Sequence, residues 1–293
     1  SEAGEVEYAL VPGADLPCIQ DGAARSQERQ PWVEPLIWKI LPQVTMEPWD
    51  DLPARQALQH AIDKDRINDL TNGGGDPAYC LMPPGLFGYF GEEFRDYSDF
   101  DLDAVQESLA QSRYADGNWP AVTMILRNEA QLNSTIMAED VAAQILENLG
   151  LEIELQIMDL QAFRELQFSL EPQMVWIRWF YDYPDPNNGY FDMFYSQKES
   201  GRRQAWSNAE FDQLTIDGKE EVEPEARLDI YRECERIMNE DVAYVPIVYR
   251  NAYYVYKPWV KGVPVNRQGY VTPNGNIYVG MWDTVYISGR ESA

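Results

Sequence analysis

The spacing of apolar positions divides the middle of the chain into helices and strands with little left over. Ala54, Ala57, Leu58, Ala61 and Ile62 fall at i, i+3, i+4, i+7 and i+8, which predicts one face of a helix over 49–72. Asp50 and Asp51 suit its N-cap, Pro53 its first turn, and Asn72-Gly73-Gly74-Gly75 its stop. A short helix follows over 101–112, with Leu102, Val105 and Leu109 on one face. Then comes a βαβαβ rhythm. Ala121–Leu126 is an apolar strand. Thr135–Leu149 is a helix whose Met137, Val141, Ile145 and Leu149 recur every four residues, closed by Gly150. Leu151–Ile157 alternates apolar and polar as a half-buried strand does, Leu160–Leu170 is helical, and Met174–Phe180 is again a strand. Strands alternating with helices of this length predict parallel pairing through right-handed crossovers.

The flanks are less regular. Val6–Val11 and Leu36–Leu41 read as strands, Asp15–Gln20 as a turn of helix, and Asp76–Tyr97, with Pro83-Pro84-Gly85, as a long loop. From Asp182 to Gly189 the composition is that of a turn throughout. Asn208–Leu214 predicts a short helix, and Glu223–Asn239 a longer one with Ala226, Ile230, Cys234 and Ile237 on its buried side. Pro246 places the strand Val242–Tyr249 at a sheet edge, and Tyr253–Tyr256 reads as a further strand.

Composition narrows the functional classes. The chain has 293 residues and a net charge of −26, which argues against nucleic acid and anionic membrane surfaces as partners. The acidity suits either a cationic ligand or simply a well-solvated surface. Cys18, Cys80 and Cys234 fall in no metal-ligand spacing and leave at least one odd thiol. The single histidine, His60, disfavours a His-based triad or a multi-His metal site. No cofactor is expected. No apolar run approaches the ~18 residues needed to span a bilayer. The opening Ser1–Gly4 lacks the features of a signal peptide and reads as a cut inside a longer protein.

Several collinear stretches resemble one family. Glu47–Ile67, with Arg55-Gln56-Ala57-Leu58 and Ala61-Ile62-Asp63-Lys64, is similar to the motif of extracellular solute-binding proteins of the peptide/nickel class, family 5. Trp179–Asn188 looks like that family's Trp-x-x-Asp-Tyr-Pro-Asp-Pro-x-Asn segment, and Asn208–Asp212 fits its Asn-x-x-Phe-Asp element. Ala226–Tyr249, with Asp241 and Pro246, resembles its late helix and strand. The resemblance implies an α/β fold: a periplasmic-binding-protein-like class II lobe with a mixed sheet flanked by helices. It further implies that 46–240 form the second lobe, while 1–45 and 241–293 return to an incomplete first lobe or hinge. The function implied is non-enzymatic: an extracytoplasmic protein, periplasmic or a cell-surface lipoprotein, monomeric at full length. It would bind an oligopeptide or similar polar or cationic solute and pass it to an ABC permease. Peptides, nickel chelates and oligosaccharides are all bound by relatives.

The same resemblance gives Asp182 the role of pairing with a ligand's α-ammonium, against the plainer reading of an Asx-turn. Open α/β sheets bind ligands at the C-terminal ends of their strands, where the loop after Met174–Phe180 must lie. Trp179 and Tyr183 are candidates for the apolar floor. Alternation puts Trp176 and Arg178 on the other strand face, so either Trp176 or Trp179 belongs to the core; Trp179 is placed in the cleft. Arg178 is a candidate for a ligand carboxylate or for a structural ion pair. Tyr181 and Asn187 are further lining candidates, and Asp185, between two prolines, forms the loop. Two other classes remain open: a regulatory or sensory protein that reuses the lobe, and a glycoside hydrolase with Asp182 and Asp185 as its acid/base pair.

Overall fold

The computed structural model describes residues 7–11, 15–17, 29–129, 133–198, 203–263 and 284–289. The expected rhythm is present, as a mixed α/β fold with helices on both faces of one sheet. Strands β1 (Tyr8–Leu10), β2 (Arg29–Pro42), β3 (Gly75–Pro77), β4 (Val122–Arg127), β5 (Ile153–Met158), β6 (Met174–Phe180) and β7 (Val245–Tyr256) make up that sheet. Its order is β1-β7-β2-β6-β4-β5, with β3 also on β7. β4 pairs in parallel with β5 and β6, while β2 is antiparallel to β6 and β7. A short antiparallel pair, β8 (Val260–Lys261) and β9 (Tyr286–Ile287), stands apart.

Two cores form, one on each face. On the first, Leu36, Trp38 and Ile40 of β2 and Met174 and Trp176 of β6 meet α1 (Leu52–His60) and α5 (Ser134–Leu149). Met137, Val141, Ile145 and Leu149 form the buried stripe that their spacing predicts. Gly150 closes α5 in the left-handed region, φ 69°, its N–H bonded to the Leu146 carbonyl. On the second face, Ile37, Val175 and Ile177 meet α6 (Leu160–Leu166), α7 (Pro186–Phe194), α8 (Ala209–Glu220) and α9 (Pro224–Glu240).

Several boundaries differ from the sequence reading. The helix expected over 49–72 is two, α1 and α2 (Lys64–Leu70), because the Asp63 side chain accepts from the Asp65 and Arg66 N–H groups and starts a new helix. The expected loop 76–97 holds β3 and a turn of helix, α3 (Arg95–Ser98), before α4 (Leu102–Gln111). The stretch read as pure turn contains α7, whose N-cap is Asp185 and whose first turn carries Pro186. Pro246 does not mark an edge: β7 runs unbroken between β2 and β1/β3, and the missing N–H is absorbed where the β2 register shifts between Trp38 and Lys39. On α9 Cys234 and Ile237 are buried as expected, with Tyr231, Glu235 and Met238 beside them, while Ile230 is half-buried and Ala226 exposed. Cys80 and Cys234 are buried free thiols. Cys18 lies outside the described residues.

The register sets the geometry of the site. β6 pairs only with the second half of β2, Leu36 to Pro42. Beyond it, β2 residues 29–33 continue against β7 residues 251–255, and Tyr8–Leu10 add to the outer side of β7. This ribbon extends past the sheet end where β4 and β6 terminate. The Glu34–Arg250 ion pair sits at its base, and a separate small cluster of Val11, Leu16 and Val255 packs on it.

Candidate functional site

The C-terminal ends of β4 and β6 lie side by side, as Leu126 pairs with Trp176. β4 ends at Arg127 and runs into Asn128 and Glu129, while β6 carries Arg178 and the aromatic Trp179 and Phe180 at its end. The cavity they frame has a volume of about 200 Å³. Arg127, Glu129, Arg164, Arg178 and Arg203 are the charged residues of its lining, with Gln167, Phe163, Trp176 and Trp179 beside them. Glu129 is buried and its Oε1 lies 3.0 Å from Arg178 Nε and 3.2 Å from Arg127 Nη1. Arg203 donates from Nε to Gln167 Oε1 at 3.1 Å, and its guanidinium lies 4.6 Å from the Phe168 ring centre and 5.7 Å from that of Trp179.

Beyond β6 the chain turns sharply into α7. The Asp182 side chain is exposed, and its own N–H donates to Asn188 Oδ1 at 2.9 Å. Thus the loop is closed by Asn188, and the Asp182 carboxylate makes none of the Asx-turn bonds among the described residues. Asp185 is tied down twice. It accepts from the Asn187 N–H as the cap of α7, and both its oxygens take Arg227 guanidinium bonds at 2.7 Å. That bidentate contact raises the Arg227 pKa further. Asp185 is thus held by Arg227, whereas the Asp182 side chain is exposed, so the two carboxylates sit in different environments.

The family model for bacterial extracellular solute-binding proteins, family 5 (middle), matches residues 2–201. The chain belongs to this family. A dipeptide-binding protein of Bacillus subtilis is 26% identical over 78% of the chain and 42% of its own length. A dipeptide-binding protein of Pseudomonas aeruginosa is 27% identical over 89% of the chain and 48% of its own length. Among solved structures, the murein tripeptide binding protein of Escherichia coli superposes with a TM-score of 0.79 at 19% identity, covering 99% of the chain and 55% of its own. A peptide binding protein of Clostridium difficile gives 0.80. The chain spans about half the length of the relatives it matches.

Within this family-5 chain the six sequence-selected residues separate by environment. Trp176 is the core member of its pair, stacked on Trp38 with ring centres 5.7 Å apart, whereas Trp179 is half-buried at the rim with its indole N–H unpartnered among the described residues. Arg178 makes the ion pair that was one of its two readings, with Glu129. Tyr183 is 39% exposed. Its hydroxyl donates to Asp192 and accepts from Asn187 Nδ2, both at 2.7 Å. Burial pushes Asp192 up, but bonds from Lys198, Tyr183 and Asn188 outweigh it and hold its pKa low. Tyr181 turns the other way: it is fully buried, its hydroxyl donating to the Leu81 carbonyl at 2.9 Å, and it fills the space left by Gly189. Its place in the core leaves no face for a ligand.

Arg127, Glu129 and Arg203 escaped the sequence reading. A faint signal existed for the first two, since charged residues directly after an apolar parallel strand fall at the ligand edge of such sheets. Arg203 had none, because its neighbours Gln167, Phe168 and Trp179 are brought to it only by the fold.

Proposed function

We propose that the chain is one lobe of a solute-binding protein whose ligand, an oligopeptide or similar small cationic solute, is held at the β4–β6 rim beneath a second lobe. In this reading the ribbon of residues 29–33 and 251–255 leads to that lobe, placing the hinge near Glu34 and Arg250. The observation that carries it is Asp182: an exposed carboxylate at the C-terminal rim of a parallel strand, beside a half-buried Trp179 and at the foot of the ribbon. Under a closing lobe such a carboxylate would lose water, and its attraction for an ammonium would rise with the falling dielectric. The named ligands of the relatives, dipeptides and tripeptides, support the same class. The protein then works outside the cytoplasmic membrane, as a monomer that delivers its solute to an ABC permease.

The test is calorimetric titration of the protein together with its other lobe, using Ala-Ala-Ala as probe. Asp182→Asn is expected to weaken binding by roughly 10- to 100-fold, the effect of losing one charged hydrogen bond of about 1.5–3 kcal/mol. Acetylating the peptide's amino end should weaken wild type as much and the variant hardly further. Equal affinities for the free and the acetylated peptide would refute the assignment.

A further inference from the structure

We propose that the arginine-lined cavity between the ends of β4 and β6 is a specificity pocket for an acidic side chain of the ligand. The inference rests on the reading that the ligand lies on this rim, and deepens it. The first support is charge. Among the described residues, four arginines and one carboxylate line a cavity of about 200 Å³, on a chain whose net charge is −26. A concentration of cations in so acidic a protein marks a place where an anion is wanted.

The second support is how the arginines are held. Arg127 and Arg178 approach the same oxygen of the buried Glu129 and make no further hydrogen bond among the described residues. Two guanidiniums thus share one carboxylate, which orients their planes and leaves N–H groups for a second planar anion. Arg203 is itself 8% exposed, fixed by Gln167 and by the rings of Phe168 and Trp179. It is a positioned cation, not a drifting surface charge.

The third support is shape. Leu160, Phe163 and Ile177 also line the cavity. A bare terminal carboxylate would leave this apolar surface uncovered. The methylenes of a glutamate-like side chain cover it while the carboxylate reaches the arginines. Arg178 and Asp182 are four residues apart, so their Cα atoms are separated by at most about 14 Å, the span of about four extended residues. One short peptide can therefore set its amino end against Asp182 and an acidic side chain in the pocket.

The test uses calorimetry on the protein with both lobes and four probes: Ala-Glu-Ala, Ala-Gln-Ala, Ala-Ala-Ala and C-terminally amidated Ala-Glu-Ala. Wild type is expected to favour Glu over Gln by at least about tenfold, and Arg127→Gln/Arg178→Gln to bring the two within about twofold while still binding Ala-Ala-Ala. Equal affinity of wild type for the Glu and Gln peptides overturns the pocket. So does a loss that follows amidation instead of the Glu-to-Gln change, since the arginines would then hold the chain end. A parallel titration with glutarate, read by the emission lost in Trp179→Phe, separates the two readings. If no peptide binds but glutarate still perturbs Trp179 in an Arg127- and Arg178-dependent way, the pocket stands and the peptide assignment falls. Silence to peptides and glutarate alike overturns the pocket.

Discussion

Replacing Lys39 with methionine should stabilise the protein, and the gain should depend on pH. Lys39 lies in the middle of β2, opposite Ile177, with 0% exposure and an amine that has no hydrogen-bond partner among the described residues. Burial lowers its pKa well below the ordinary lysine range; the charge of Arg203 lowers it further, and Glu235 partly opposes both. An amine held neutral in the fold loses about 1.36 kcal/mol of stability for each pH unit by which the solution lies below its ordinary pKa of about 10.4, down to its folded pKa. Methionine fills a similar volume and carries no such penalty. After relaxation around the thioether, Lys39→Met should gain about 2–4 kcal/mol at pH 7. Because the folded pKa is the lower one, the unfolded wild-type chain binds the extra proton between that value and about 10.4. The contribution of Lys39 to stability is thus present above about pH 10.4 and lost as pH falls through its folded pKa. The variant's advantage should be larger at pH 7 than at pH 8.5 and shrink toward zero at pH 10. Urea unfolding followed by tryptophan emission at pH 7, 8.5 and 10 measures this directly. A destabilised variant, or a gap that does not change with pH, would refute the reasoning and point to a charged Lys39 paired with Glu235.

Two further substitutions test the loop and the helix it enters. Asp185→Ala removes both the cap of α7 and the bidentate partner of Arg227, so urea unfolding should show a loss of about 2–3 kcal/mol, whereas Asp182→Ala, at an exposed side chain, should change stability by less than about 0.5 kcal/mol. Gly189→Ala introduces a Cβ 2.6 Å from the Tyr181 hydroxyl and 3.1 Å from a Leu81 methyl; despite the better helix propensity of alanine, thermal melting should report a loss of about 1–3 kcal/mol, relieved by adding Tyr181→Phe.

What the sequence determined by itself was local. The 3.6-residue stripe of α5, the period-two strand β5 and the apolar β4 and β6 announce themselves, since each buries its own face against whatever covers it. Their alternation was enough for an α/β fold and for the parallel pairing of β4 with β5 and β6. Asp182 was singled out by the family resemblance of Trp179–Asn188, since turn chemistry alone would have read it as an Asx-turn. Tertiary structure decided everything that depends on partners distant in the chain. Asp185-Pro186-Asn187-Asn188-Gly189 reads locally as turn chemistry, and becomes the start of a helix where Tyr181 packs against Gly189 and Tyr190 and Phe194 sink into the core. Pro246 looked like an edge marker because a bulge in a strand two hundred residues earlier is invisible locally. Arg178 carried two open roles until Glu129, 49 residues away, was brought to 3.0 Å. Periodicity records which face of an element is buried; it holds no record of what lies opposite, and sites are made of opposites.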